Sequence, residues 1–189
     1  MRYLNIGNPV EDNELIQGCI REERKYQEAI FKRYAGKLMA VSMRYARLRM
    51  EAEDILQDAF MRIFDHIGQF QGKGSLEGWM RRIVVNTALK NVDKKSFSNE
   101  IIGLENTAED LSGALPSVFS ALQEEELLLL IQQLPDGYRI VFNMYAIEGY
   151  NHAEISALLG IQESTSRSQL VKARKMLQSQ ILEIQKVAV

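Results

Sequence analysis

The spacing of apolar residues is the feature that most restricts what this chain can fold into. Through most of its 189 residues, apolar side chains recur three and four positions apart, and no stretch shows the sustained alternation of a strand. That period is typical of helices with one buried face. All three prolines, Pro9, Pro116 and Pro135, fall in predicted loops or at predicted helix starts. The sequence therefore predicts an all-α fold.

The same period predicts two groups of helices. The first group covers residues 13–22, 26–48, 51–67 and 76–92. The second covers residues 123–133, 136–148, 152–159 and 163–185. Because glycine is a poor helix former, Gly36 leaves open that the segment 26–48 is two helices.

A segment of different composition separates the two groups. From Ser98 to Glu126 there are seven acidic residues and no Lys or Arg. We interpret residues 98–122 as a flexible acidic linker between a small helical domain at 11–97 and another at 123–186. Two roles stay open for this linker. It is a solvated tether, or its acidity imitates nucleic acid within a basic channel of a partner.

Bulk composition restricts the class of protein further. Apolar residues make up 46% of the chain and the net charge is only −2. A chain that bound DNA unaided would usually be basic overall, so any DNA contact must come from local patches. The single cysteine, Cys19, lies among apolar residues and is expected to be a buried thiol. Without a signal-peptide pattern or a membrane-length apolar run, we expect a soluble, cytoplasmic protein with no membrane insertion.

Residues 150–177 carry the pattern of a helix-turn-helix. Asn151 and Glu154 form a predicted capping box at the start of one helix, and Gly160 suits its left-handed end. The next helix opens with the polar segment 163–169 and gains apolar anchors only later. This arrangement is typical of a helix that reads the major groove; the alternative is an ordinary solvent-exposed helix pair.

Several polar side chains of that second helix suit base edges or phosphates. The candidates are Arg167, Ser168, Gln169, Lys172 and Arg174. We expect His152, at the start of the preceding helix, to be an exposed first-turn residue.

The first group of helices contains an acidic face. Asp54 and Asp58 lie four residues apart on one face of the predicted helix 51–67, beside Gln57. Like charges at this spacing slightly destabilise a helix. We therefore expect this face to bind a partner.

A glycine-containing loop, Phe70–Ser75, leads from that helix into the next. In the helix that follows, Trp79, Ile83 and Val84 are predicted to be buried. The residues predicted to be exposed are Arg81, Arg82, Asn86, Thr87 and Lys90. Such a loop beside a helix with Asn, Thr and cations can hold single-stranded bases and follow their backbone.

Three segments occur in a recognisable order: EDILQDAF at 53–60, FQGKGSLEGWMRRIVVNTA at 70–88, and EISALLG at 154–160 followed by Ser168 and Ala173-Arg174. Together they resemble the sigma-70 family of bacterial RNA polymerase sigma factors, specifically its extracytoplasmic-function (ECF) group. The resemblance covers roughly residues 11–95 and 123–182. It implies sigma region 2 at 11–97, a helix-turn-helix region 4 at 123–186, and a non-enzymatic protein that directs promoter-specific transcription initiation.

The resemblance also implies roles for individual residues. Docking on the clamp coiled coil of the polymerase β′ subunit falls to Asp54, Gln57 and Asp58. Recognition of the −10 element falls to Gln71, Lys73, Ser75, Asn86, Thr87 and Lys90. Recognition of the −35 element falls to Arg167, Ser168, Gln169, Val171, Lys172 and Arg174.

The implied partners are core RNA polymerase, through the β′ clamp and the β flap, promoter DNA, and an anti-sigma factor. The linker would run through the RNA exit channel of the polymerase. No cofactor or metal is implied.

The helix-turn-helix departs from the family pattern at three positions. Ser166 stands where an apolar residue is usual, Ser164 where glycine is common, and Gln169 where arginine is common. We expect looser packing of the recognition helix and one fewer phosphate contact.

Two other classes of protein remain as alternatives. One is a dimeric helix-turn-helix regulator that binds a palindromic site; this class leaves the acidic face and the Phe70 segment unexplained. The other is a metal-dependent nucleotide hydrolase in which Glu51, Asp54 and Asp58 hold Mg²⁺. An enzyme of this kind needs a second acidic motif, and the candidates are Glu22, Glu23 and Glu28.

Overall fold

The structure is a computed structural model that describes residues 9–90 and 124–187. The chain divides into two compact units, Met1–Asn91 and Val92–Val189, and each is described by itself. Every regular element within the described ranges is a helix, which confirms the all-α prediction. The linker predicted for residues 98–122 lies outside the described residues.

Over residues 9–90, unit 1 contains four α-helices: α1 at Pro9–Ile20, α2 at Arg24–Tyr45, α3 at Arg49–His66 and α4 at Leu76–Lys90. A short 3₁₀ turn, Ile67–Gln69, follows α3. The longest helix, α2, packs against the other three, and α3 packs against α4. The apolar stripe of α2 supplies the centre of the core. The core includes Ile30 and Leu38 of α2, Ile63 of α3, and Met80 and Val84 of α4.

The contact between α1 and α2 depends on a glycine. A Cβ atom built on Gly18 would lie 2.0 Å from Cδ2 of Tyr26, so only glycine lets the tyrosine ring lie this close to α1. Nearby, Cys19 is 3% exposed, and burial raises the pKa of its thiol to about 11. The thiol is therefore protonated at neutral pH, as expected for a structural cysteine.

Within residues 124–187, unit 2 contains four further α-helices: α5 at Glu124–Gln133, α6 at Asp136–Phe142, α7 at His152–Leu159 and α8 at Glu163–Val187. The long helix α8 packs against the three shorter ones. Its buried stripe consists of Leu170, Ala173, Leu177 and Ile181. These four positions repeat every three or four residues, as the sequence predicts.

Two details of the helix prediction need correction. Gly36 does not divide a helix, because α2 runs without a break from Arg24 to Tyr45. The segment predicted as one helix at 136–148 is the α-helix α6 followed by a π-helical turn, Asn143–Ile147. The predicted capping box and left-handed end of α7 are confirmed: Glu154 N donates to Asn151 Oδ1 at 2.9 Å, and Gly160 has φ +68°.

Two glycine substitutions in unit 1 should have opposite effects on stability. Gly18→Ala forces a methyl group into the ring of Tyr26, and we expect it to lower the free energy of unfolding by about 1–3 kcal/mol. Gly36→Ala meets no atom within 4 Å, and we expect a gain of about 0.5–1 kcal/mol from better helix propensity. Urea unfolding of both full-length variants measures the difference, and equal effects would contradict the packing described here.

Candidate functional site

The acidic face predicted on α3 is present and open to solvent. Asp54, Gln57 and Asp58 are all exposed, and neither aspartate has a hydrogen-bond or ion-pair partner among residues 9–90 and 124–187. The neighbouring glutamates of α3 are engaged. Glu51 accepts the backbone N–H of Arg47 at 2.9 Å, and Glu53 pairs with Arg49 at 2.9 Å.

Two methionines extend this face, and the sequence analysis missed them. Met50 is 67% exposed and Met61 is 60% exposed. Positions 50, 54, 57 and 61 are spaced by four, three and four residues, so they lie along one side of α3. Exposed methionines are common on protein-binding surfaces because their flexible, polarisable side chains adapt to a partner. The surface is thus acidic at its centre and apolar at both ends.

The loop before α4 presents a cation on a backbone that glycine makes possible. Gly72 and Gly74 have φ values of +70° and +91°, in the left-handed region that favours glycine. Lys73 between them and Gln71 are exposed. Ser75 ends the loop, and its hydroxyl accepts the backbone N–H of Gly78 at 3.1 Å. The serine is therefore already engaged in starting α4.

The outward face of α4 differs from the prediction at Thr87, and Arg81, also predicted to be exposed, is half-buried. Asn86 and Lys90 are exposed, as expected. Thr87 is only 3% exposed, and its hydroxyl donates to the backbone oxygen of Ile83 at 2.8 Å. The prediction that Thr87 faces solvent is wrong, because its position falls on the same side of the helix as the buried Val84 and Ala88.

Aromatic packing supports the base of the same loop. Trp79 is half-buried, and its ring centroid lies 5.8 Å from that of Phe70. At the start of α4, Glu77 pairs with Lys37 of α2 at 2.6 Å. Both contacts attach the loop to the helical core.

The first turns of α8 present polar side chains outward. Arg167 and Ser168 are exposed, while Val171 and Lys172 are half-buried. Arg167 pairs with Glu163 one turn earlier at 2.8 Å, an exposed ion pair that costs little to break. Lys175 is also exposed and lies seven residues after Ser168, so it shares the outward face. The sequence analysis did not include it.

Two of the residues predicted to contact DNA lie against the protein instead. Gln169 is 3% exposed, and its carboxamide lies where a Cβ on Gly137 of α6 would come within 2.9 Å of Oε1. Arg174 is half-buried, with its guanidinium 5.8 Å from the centre of the Tyr145 ring. The expectation that Gln169 is available to bases is therefore wrong, because the residue lies at the contact between α6 and α8.

His152 and Ser166 form a contact that the sequence analysis did not predict. The hydroxyl of Ser166 lies 2.8 Å from Nδ1 of His152, and the histidine ring stacks on Tyr145 with centroids 4.5 Å apart. Ser166 is 0% exposed, so the serine is fully buried where the family usually has an apolar residue; the looser packing expected from it stays a prediction. His152 is half-buried, which corrects the expectation that it is simply an exposed first-turn residue.

Two other kinds of feature are absent from the described ranges. No group of three or more His, Cys, Asp or Glu side chains is placed to hold a metal ion in residues 9–90 and 124–187. None of the helices in those ranges combines the length and apolar character that crossing a bilayer needs.

Comparison with known proteins identifies both units. The family model for Sigma-70 region 2 matches residues 30–97, which begin within α2 and include α3 and α4. The model for Sigma-70, region 4 matches residues 124–177, from α5 into α8. Together the two matches cover well over half of the chain.

Similar proteins agree with this assignment along nearly the whole length. The RNA polymerase sigma-H factor of Pseudomonas aeruginosa is 22% identical over 177 residues, covering 88% of this chain and 92% of that protein. The ECF RNA polymerase sigma-E factor of Escherichia coli strain K12 is 24% identical over 180 residues, covering 90% and 94%. Among solved structures, the sigma factor RpoE in complex with the anti-sigma factor NepR from Bartonella quintana has 18% identity and a TM-score of 0.49, covering 83% of this chain and 96% of that one.

The chain belongs to the sigma-70 family of RNA polymerase sigma factors, and within it to the ECF type. Its function is promoter-specific transcription initiation. The resemblance found in the sequence is confirmed at the level of family and type, while the roles of individual residues stay predictions.

The surroundings of His152 should make the stability of the protein depend on pH. Burial holds the pKa of His152 below its ordinary value of 6.5, and Arg167 and Arg174 lower this pKa further, whereas Glu163 raises it. The unfolded chain, with a pKa of about 6.5, therefore binds more protons than the folded chain in the window between the two values. The stability that His152 contributes is complete above pH ~6.5 and is lost as pH falls through the folded pKa.

We expect the free energy of unfolding to fall more steeply below pH ~6.5 in the wild type than in His152→Phe, which keeps an aromatic ring but cannot titrate. Urea unfolding at several pH values measures this difference, and His66, the only other histidine, is present in both proteins. Identical pH profiles would contradict the lowered pKa.

Proposed function

We propose that this ECF-type sigma factor divides promoter recognition between its two units. Unit 1 docks on the β′ clamp coiled coil of core RNA polymerase through the α3 face and binds the −10 element through the 71–75 loop and α4. Unit 2 reads the −35 element through the outward face of α8. Residues 98–122 connect the two. The observation that carries this proposal is that two separate helical units match two different regions of one family.

The contrast among the carboxylates of α3 supports the docking role. Glu51 and Glu53 are engaged within the protein, while Asp54 and Asp58 are exposed one turn apart with their charges uncompensated by described residues. Such a pair costs helix stability, and a basic partner surface would remove that cost. Met50 and Met61 add apolar contact area at both ends, so the complete surface suits a partner helix with basic and apolar side chains.

We expect Asp54→Ala/Asp58→Ala to weaken binding to core RNA polymerase by about tenfold or more, which corresponds to about 1.4 kcal/mol or more. Removing either charge deletes a candidate charge-assisted contact, which is stronger than a neutral one. Fluorescence anisotropy of the labelled full-length chain, titrated with core enzyme, measures the affinity.

The matched control is Glu23→Ala/Glu28→Ala, which changes the net charge by the same amount. Glu23 pairs with Arg21 and Glu28 pairs with Arg24, so both control residues lie outside α3. Equal weakening by both double variants would mean that net charge alone governs the affinity. Binding left intact by the aspartate variant would place the main contact elsewhere.

The proposed binding of the −10 element by unit 1 is supported by the exposure of three polar residues. Asn86 and Lys90 lie on the open face of α4, and Lys73 extends from the loop before it. Amides and cations on one open surface can bind unstacked bases and the backbone that carries them. Thr87 remains part of the set implied by the family, yet its buried hydroxyl is bonded within α4, so we assign it packing in place of base contact.

Measurements of promoter opening should distinguish the role of Asn86 from that of Thr87. We expect Asn86→Ala to reduce opening by several-fold, because an exposed donor and acceptor are lost, whereas Thr87→Val, which removes only an internal hydroxyl, should leave opening nearly unchanged. Permanganate footprinting of holoenzyme on a promoter selected by the wild type measures opening. A larger loss in Thr87→Val than in Asn86→Ala would refute the assignment.

The remaining parts of the proposal follow from this mechanism. The protein works in the cytoplasm with polymerase and promoter DNA, has no catalytic activity of its own and requires no cofactor. The carboxylate of Glu51, one of the candidate Mg²⁺ ligands in the enzyme alternative, accepts backbone N–H groups at the start of α3 and so already serves the fold. An anti-sigma factor that covers the exposed faces of α3 and α8 is the expected regulator.

A further inference from the structure

We propose that His152 and Ser166 form a positioning pair that sets the base preference of α8. This inference rests on the proposed reading of the −35 element by that helix. Neither side chain needs to touch DNA, because the pair acts through the two residues that follow Ser166 directly. Those residues, Arg167 and Ser168, are exposed.

Ser166 lies where it can set the directions of the neighbouring candidate DNA contacts. Ser166 is fully buried in the second turn of α8, at the end of the helix that carries the candidate DNA contacts. Successive residues of a helix are about 100° apart around its axis, so fixing one residue fixes the directions of the next two. Hydrogen bonds to base edges require donor–acceptor distances of about 2.7–3.2 Å, and a small rotation of this turn would change which base edge Arg167 reaches.

A directional contact matters here because both α7 and α8 bury apolar side chains. Ile155 and Leu159 of α7 are buried, as are Leu170 and Ala173 of α8. Apolar burial stabilises the pair without a preferred direction, whereas a hydrogen bond constrains both distance and angle. The bond between Ser166 and His152, at 2.8 Å, therefore defines the rotation of α8 that apolar contacts leave loose.

The histidine ring is itself held in place. It stacks on Tyr145 at a centroid separation of 4.5 Å and an interplanar angle of 23°. Tyr145 in turn lies 5.8 Å from the guanidinium of Arg174. Ser166 and Arg174 belong to the same helix, eight residues apart, so the chain of contacts leaves α8 and returns to it about two turns later. This closed set of contacts restricts both rotation and tilt.

The experiment compares Ser166→Val with Ser166→Thr in the full-length chain. Valine and threonine have nearly the same shape, and both add a methyl group, so the two variants differ mainly in the hydroxyl. Each protein is assembled with core RNA polymerase and mixed with a duplex DNA library that is randomised over the upstream promoter element. Sequencing the bound DNA gives the base preference at each position.

We expect Ser166→Thr to keep the wild-type preference. Ser166→Val should reduce the enrichment of preferred over mismatched bases by about three- to tenfold, the range that one net hydrogen bond provides. His152→Phe, which keeps a ring for Tyr145, should have a similar effect, and the double variant Ser166→Val/His152→Phe should cause no further loss. Thermal unfolding of all four variants measures packing separately.

Three outcomes would overturn the inference. Equal preferences for the valine and threonine variants would show that the hydroxyl does not matter. Recovery of the wild-type preference in the double variant would show that packing alone is responsible. A wild-type holoenzyme with no upstream preference at all would refute the proposed −35 function, and the positioning role with it.

Discussion

Burial of one apolar stripe on α8 is the constraint from which the arrangement of unit 2 follows. The stripe formed by Leu170, Ala173, Leu177 and Ile181 is covered by three shorter helices that are too short to be stable alone. Because the apolar stripe begins only at Leu170, the first two turns of α8 carry mainly polar side chains, of which Arg167 and Ser168 are exposed while Ser166 and Gln169 are buried. The same packing that folds the unit thus leaves exposed polar side chains at the start of α8, where we propose that DNA binds.

Unit 1 follows a similar plan with a different outcome. Its long helix, α2, packs against three neighbours through one buried face, while the exposed polar residues that we propose bind partners lie on α3, on α4 and in the loop between them. Three acidic residues within one turn of α3 differ in their contacts. Glu51 and Glu53 are bonded within the protein, whereas Asp54 is exposed and is proposed to contact a partner. A surface that costs the isolated helix some stability is retained because the rest of α3 is anchored by Ile55, Ala59 and Ile63.

Much of this architecture could be predicted because helical period and capping act locally. The capping box at Asn151 and the turn at Gly160 depend on a few consecutive residues, and both were predicted correctly. A helix break at Gly36 was left open by the sequence and does not occur. The cost of about 1 kcal/mol for a glycine within a helix is outweighed by burial of Tyr34 and Leu38 on either side.

The errors at the candidate site share another cause. Thr87 and Gln169 occupy positions that the helical period assigns to the buried side, and their polarity was given more weight than their spacing. The period therefore contained a usable signal for both. The period also assigns Ser166 to the buried side, four residues before Leu170, but it does not predict its partner. His152 is fourteen residues away, and the two meet only because the turn between α7 and α8 brings them together.

The shared bond between those two residues has a consequence for how sequences of this kind can diverge. Replacing His152 alone removes the partner of a fully buried hydroxyl, and replacing Ser166 alone removes the partner of a half-buried imidazole. Either single change costs about 1–3 kcal/mol if the buried group finds no substitute, while an apolar residue at both positions avoids that cost. Substitutions at these two positions should therefore be accepted in pairs, which couples sequence change in α7 to sequence change in α8.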